Sequence, residues 1–173
     1  MKMKWLCKLL ICVSTHSWAS DLCVKNELTY FSCHAGKEVI SVCASTNPNS
    51  TQFRSGNIHK INFAYPENNS DSKEKLFYSE GYASGYTEKH LRFNSKNKIY
   101  VIFDRWYNDH PTGKITITRG VSVFKKEAMP LDNETAEFKR QYLIKEKFCN
   151  KSTGIEIKGS WANIESENFI YGP

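Results

Sequence analysis

Between Tyr30 and Ser45 the chain reads Tyr-Phe-Ser-Cys-His-Ala-Gly-Lys-Glu-Val-Ile-Ser-Val-Cys-Ala-Ser. Two runs of β-branched and aromatic residues flank His34-Ala35-Gly36-Lys37, where a glycine can supply the positive φ of a tight reversal, so the stretch predicts a β-hairpin. Each arm carries a cysteine, Cys33 and Cys43. With the turn centred on Ala35-Gly36, Cys33 lies opposite Glu38 and Cys43 sits roughly 16 Å further along, at about 3.3 Å per residue. A disulfide needs Cα atoms within about 7 Å, so these two cysteines are not expected to join each other.

The ends of the chain decide what the cysteines can do. Lys2 and Lys4 precede an apolar run from Trp5 to Val13, and Ser17-Trp18-Ala19 offers small residues at the two positions a signal peptidase reads. Residues 1–19 are therefore expected to be a secretory signal peptide, and 20–173 a single disulfide-stapled β-rich domain. The apolar run is interrupted by Lys8 and is too short to span a bilayer of about 30 Å, so no integral membrane segment is expected after signal removal. Cys7 and Cys12 leave with the signal, and Cys23, Cys33, Cys43 and Cys149 remain. Four cysteines in an oxidising compartment imply two disulfides. Excluding Cys33–Cys43 leaves Cys23–Cys43 with Cys33–Cys149, and the scheme that joins Cys43 to Cys149. Either one closes a long loop onto Cys149.

Loss of Lys2, Lys4 and Lys8 takes the 24 basic residues to 21 against 18 acidic ones, a net charge of +3 instead of +6. Lysine and glutamate are interleaved without a basic stripe, so nucleic acid is not an expected partner. Beyond the hairpin, strand patterns recur at Thr51–Gly56, Ile58–Tyr65, Leu76–Tyr86, Leu91–Phe93, Lys98–Tyr107 and Lys114–Phe124. The two glycines in Leu76–Tyr86 predict a strand broken by a bulge or a close backbone approach. Asp132 or Asn133 can cap a helix running through Phe138 and Tyr142 towards Phe148, the one helix expected. Short strands are expected again at Ile155–Lys158 and Trp161–Ile164. The fold class is thus mainly β, an antiparallel sheet or a sandwich or barrel, with one helix near the C-terminus.

Chemistry is harder to find. His34, His59, His90 and His110 lack the close spacing to other ligands that marks a zinc site, and no cofactor or metal is expected. Gly81-Tyr-Ala-Ser-Gly85 is not a nucleophile elbow, because the serine is not central between the glycines. No catalytic constellation is legible, so the chain reads as a non-enzyme. Asp104-Arg105-Trp106-Tyr107-Asn108-Asp109-His110 instead offers Arg, Trp and Tyr, the types enriched in interface hot spots, where a strand meets a turn. Gly81 to Tyr86, with Tyr82 and Tyr86, is a second candidate surface.

Phe31-Ser32-Cys33, Gly36-Lys37, Ile40-Ser41 and Val42-Cys43-Ala44-Ser45, followed by Gln52-Phe53-Arg54-Ser55-Gly56 and Tyr65-Pro66, resemble a group of small secreted bacterial proteins of unassigned function. The resemblance continues weakly through Leu91-Arg-Phe93 and Gly120-Val121, and implies an exported β-rich protein. The Gln-Phe-Arg-Ser-Gly segment departs from that group's aromatic-arginine-aromatic-glycine arrangement. The expectation is a periplasmic or secreted protein-binding module, an inhibitor or immunity protein that blocks a toxin or a cell-wall-degrading enzyme. An envelope-associated structural or glycan- or lipid-binding protein is the alternative, and a hydrolase with an unrecognised site the second.

Overall fold

A computed structural model describes residues 21–46, 49–68, 74–128, 141–157 and 163–167. Among these described residues eleven strands form two sheets packed on a shared core. The first sheet holds β1 (Glu27–Ala35), β2 (Glu38–Thr46), β3 (Asn49–Asn57), β4 (Lys60–Tyr65) and the short β10 (Lys151–Ser152), in the order β10-β1-β2-β3-β4. The second holds β5 (Leu76–Ala83), β6 (Tyr86–Ser95), β7 (Lys98–Asp109), β8 (Lys114–Lys125), β9 (Leu143–Phe148) and β11 (Ile164–Ser166), in the order β11-β5-β6-β7-β8-β9. All pairings are antiparallel except β11 on β5. The mainly β class read from the sequence is the observed one.

Tight turns at residues of suitable conformation explain the hairpins. Gly36 joins β1 to β2 with φ 64°, and Lys96-Asn97 joins β6 to β7 with φ 47° and 58°. Positive φ at both central residues suits the type I′ turn at Lys96-Asn97, and a glycine with positive φ in first place suits the type II′ turn at Gly36-Lys37; both match the twist of the strands they join. Ser84-Gly85, with positive φ at Gly85 alone, turns β5 into β6, so the expected interruption of one strand is a reversal between two.

Where the sheets meet, aromatic rings from both form the seam. Phe53 of β3 lies 4.9 Å from Phe93 of β6, Tyr65 stacks on Phe93 at 4.4 Å, and Tyr100 of β7 stacks on the same ring at 4.7 Å. Ring pairs at such separations add to the burial of large apolar area.

The disulfides are Cys23–Cys43 and Cys33–Cys149, each with Cα atoms 5.3 Å apart. The hairpin register differs from the expected one, because the turn is Gly36-Lys37 and Cys33 faces Ile40, not Glu38. Cys43 is then three residues from Cys33's partner instead of five, about 10 Å at about 3.3 Å per residue, which still exceeds disulfide reach.

The expected helix is corrected. Its last part is strand β9, and 129–140 lie outside the described residues. Lys145 and Lys147 of β9 pair with Val123 and Val121 of β8. Charged residues therefore occupy positions facing the other sheet, which hid the two-residue period. Ile155 is not on a strand either: residues 153–157 form an irregular strap along β1, whose amides bond to carbonyls of β1 and to a side chain of β7. The segment 158–162 and the tail 168–173, with Trp161, lie outside the described residues.

Loop-closure entropy ranks the two disulfides. For separations of 116 and 20 residues the chain-entropy relation assigns about 5 and about 3 kcal/mol. Urea unfolding of the Cys33→Ala/Cys149→Ala variant should show the larger loss of stability, and equal losses from the two double variants would refute the ranking.

Candidate functional site

Strand alternation divides the predicted Asp104–His110 surface. Residues 104 to 109 are not a loop but the last part of β7, so their side chains alternate between the face towards the other sheet and the face away from it. Only His110 to Gly113 make the turn. Asp104 and Trp106 point inward, whereas Arg105 and Tyr107 point outward. Register extends the division across neighbouring strands, because residues directly opposite share a face.

On the inner face the register aligns Tyr82, Thr87, Trp106 and Ile117 in one row across β5 to β8. The adjacent row, one step towards the core, is Glu80, Lys89, Asp104 and Arg119, with charges alternating in sign. Beyond it lies the apolar row Tyr78, Leu91, Ile102 and Val121. The charged row thus borders the core, and the Tyr82–Ile117 row lies outside it.

The charged row is internally matched. Arg119 Nε donates to Asp104 Oδ1 at 2.7 Å, and Lys89 Nζ lies 3.4 Å from Glu80 Oε1. Asp104 is buried and also accepts from the Ile155 amide at 2.9 Å and from Trp106 Nε1 at 3.1 Å. Its carboxylate therefore orients the indole and holds the strap against the sheet. Gly154 makes that approach possible, since a Cβ there would sit 2.9 Å from Asp104 Oδ2. Burial pulls the Glu80 carboxyl upward, but hydrogen bonds from Tyr82 and Tyr78 and the Lys89 charge outweigh it, holding the group below its ordinary value.

A cavity of about 300 Å³ opens between these rows and the strap, lined by Glu80, Tyr82, Lys89, Trp106, Arg119 and Glu156 among others. Tyr82 is 72 % exposed and Trp106 44 %, and Ile117 and Ile115 extend the apolar strip at 45 % and 58 %. These side chains form one exposed apolar row along the inner face of the sheet beside the matched charges.

The remaining predicted residues are elsewhere. Tyr107 is half exposed on the outer face, and Tyr86, opposite it in register, is half-buried there. Asp109 accepts from the Thr112 hydroxyl and shapes the turn, and His110 packs beside Gly85 of the neighbouring turn. Arg105 donates to Glu88, which also bonds to His90 at 2.7 Å. Glu88 and His90 are fully buried, and burial followed by the neighbouring Glu88 carboxylate pushes the Tyr86 hydroxyl well above its ordinary value. Burial pushes the His90 imidazole down against the opposing pull of Glu88. Burial also acts to raise Glu88, but bonds from His90 and Arg105 prevail and hold it low.

Sequence reasoning missed the charged row, the strap and Arg54. Arg54 is buried with Glu27 in a bidentate pair, both oxygens at 2.6 Å, and also reaches the Leu22 carbonyl and Gln52 Oε1. It anchors the segment before β1. Among the described residues Cys23, Glu27 and Cys43 form a group with metal-ligand spacing. Both sulfurs are in disulfides and Glu27 is paired with Arg54, so these atoms are already committed. No family model, curated protein or solved structure matches the chain, and its function is read from this geometry.

Two measurements test the electrostatics. Asp104→Ala should cost about 3 kcal/mol in urea unfolding, because it strands a largely buried guanidinium and an amide; a loss under about 1 kcal/mol would show that the carboxylate is not a strut. Melting temperature should fall as pH drops below 6.5, the ordinary histidine value, since the unfolded chain then binds a proton that folded His90 resists. It should fall further below 4.5, the ordinary glutamate value, where unfolded Glu88 protonates before the folded carboxylate. His90→Gln should remove the upper part of that dependence, and an unchanged slope would assign it to other groups.

Proposed function

We propose that the chain is an exported protein-binding module that docks the Tyr82–Trp106–Ile117 strip on a protein partner. The partner is a toxin or cell-wall-degrading enzyme, and the module acts as a periplasmic inhibitor or immunity protein. One observation carries the reading: a row of large apolar side chains stands exposed on a sheet whose neighbouring charges are matched by one another. Binding there buries aromatic area without stripping water from an unmatched charge, which would otherwise cost affinity. Two disulfides fit an oxidising compartment, and no helix among the described residues is long and apolar enough to cross a membrane. The resemblance to small secreted bacterial proteins points the same way.

A second reading rests on the cavity beside the strip. Tyr82 and Trp106 border a hollow that contains carboxylates, an ammonium and a guanidinium, a set that can stack on a sugar ring and hydrogen-bond its hydroxyls. Envelope glycan would then replace a protein as the ligand.

Affinity capture with the oxidised chain lacking 1–19, from periplasmic extract and from competing strains, separates the two. A protein should be retained, and Trp106→Ala or Tyr82→Ala should weaken its binding by about tenfold or more, while Tyr107→Ala on the outer face leaves it unchanged. Retention of glycan alone, or full retention of the protein by Trp106→Ala, would overturn the protein-binding strip.

A further inference from the structure

The opposite end of the sandwich carries a second, chemically different opening. From Lys98 at its mouth to Trp106 along β7 is eight residues, about 26 Å at about 3.3 Å per residue, so the mouth is remote from the strip and independent of its reading, although the inner wall at Val121 comes within two residues of Arg119. A cavity of about 250 Å³ lies here between the sheets, walled by Ile40, Phe53, Phe63, Tyr100, Val121 and Val123. Its wall is apolar and largely aromatic.

The rim is cationic. Lys98, Lys145 and Lys147 line it against a single acid, Glu38, which pairs with Lys147 and so joins β2 to β9 across the sheets. Lys98 also stands directly opposite Lys125 in the β7–β8 register. Like charges directly opposed in a sheet are destabilising. Lys98 and Lys145 of the lining, and Lys125 beside Lys98, make no ion pair among the described residues, so a positive excess stands at the mouth of an apolar chamber. The contrast with the other end is complete: there charges alternate and cancel, whereas here three lysines remain unmatched.

An apolar chamber with a cationic mouth is complementary to a molecule with an apolar body and an anionic head. Small-molecule pockets start near about 300 Å³, so the chamber suits a single alkyl chain of medium length and is too small for a two-chain lipid. We propose that this inter-sheet cavity binds a medium-chain alkyl carboxylate, with the chain against Phe53, Phe63 and Tyr100 and the carboxylate held by Lys98 and Lys145. Each lysine keeps its stem along apolar surface and its ammonium at the mouth. The bound anion also relieves the repulsion between Lys98 and Lys125.

Calorimetric titration of the oxidised chain with decanoate, decan-1-ol and decyltrimethylammonium, all below their aggregation concentrations, tests this. Decanoate should bind saturably at one site, decanol about tenfold more weakly and the cation not at all. The Lys98→Glu/Lys145→Glu variant changes exposed side chains and should retain the fold. It should weaken decanoate by about tenfold or more while leaving decanol unchanged. Val123→Trp, with folding checked by near-ultraviolet circular dichroism, should abolish binding of both. No saturable decanoate binding, equal affinity for the three probes, or unchanged decanoate affinity in the double lysine variant would each overturn the assignment.

Discussion

The two sheets are bound to each other by a crossing at Cys149. The Cys149 amide donates to the Arg119 carbonyl in the second sheet at 2.9 Å, and the next amide, Asn150, donates to the His34 carbonyl in the first at 2.7 Å. Between those two peptide units the chain changes layers, and the Cys33–Cys149 bond pins the change near the C-terminal end of β1. The path of residues 151–157 depends on that crossing. β10 can pair with β1, Thr153 and Glu156 can donate to the Ser32 and Tyr30 carbonyls, and Ile155 can place its amide on Asp104. The strap that walls the candidate site is thus positioned by a disulfide and a run of backbone donors. Each buried donor of that run has an acceptor, as buried backbone requires.

From that placement the division of labour on β7 follows. Asp104, Trp106 and the residues across from them face the strap, whereas Arg105 and the buried Glu88–His90 pair occupy the outer face. Alternation thereby keeps two polar systems apart within one hairpin. The inner one leaves aromatic surface open. The outer one is closed, with Arg105 lying 4.3 Å over the Phe103 ring and Phe148 meeting Phe103 at 6.0 Å. Burying the Glu88 carboxylate and the Tyr86 hydroxyl costs hydration, which the bonds to Glu88 from His90 and Arg105 offset in part. Folding must offset that cost elsewhere, and the aromatic seam between the sheets is the largest apolar contact among the described residues on which it can draw.

Hairpins were legible where turn chemistry punctuates alternating strands, as at Gly36-Lys37 and at Lys96-Asn97. The disulfide partners were legible as a short list, because register arithmetic excludes Cys33–Cys43 even when the turn is misplaced by one residue. β9 was not. Its inner-face positions hold Lys145 and Lys147, whose long stems cover apolar surface while their charges disguise the period. The strap had no pattern to read, because its hydrogen bonds go to β1 and to a side chain 51 residues away instead of to a regular ladder. Asp104 shows why a site resists sequence reading: a carboxylate at the end of an apolar strand looks the same whether it faces a partner or a backbone amide. The row Glu80–Lys89–Asp104–Arg119 exists only after four strands are set in register, and no spacing along the chain encodes it.

The two ends of the sandwich differ because the residues bordering its core differ. At the β5–β6 turn end, alternating charges neutralise one another, and what remains exposed is aromatic and aliphatic area with few unmet electrostatic demands. Contact there is governed by shape and burial, which suits a large complementary surface. At the β6–β7 turn end, unmatched lysines surround an opening into aromatic rings, so the attraction is a field focused on a small apolar mouth. That geometry selects by sign of charge and by chain width. The aromatic seam forms the inner wall of the chamber through Phe53 and Tyr100, while the rim lysine Lys98 and Trp106 of the strip stand eight residues apart on β7, so exchanges of exposed side chains at one rim should leave the other's geometry intact. One β-scaffold can therefore carry a broad docking strip and a narrow charge-selective chamber without either compromising the packing that supports both.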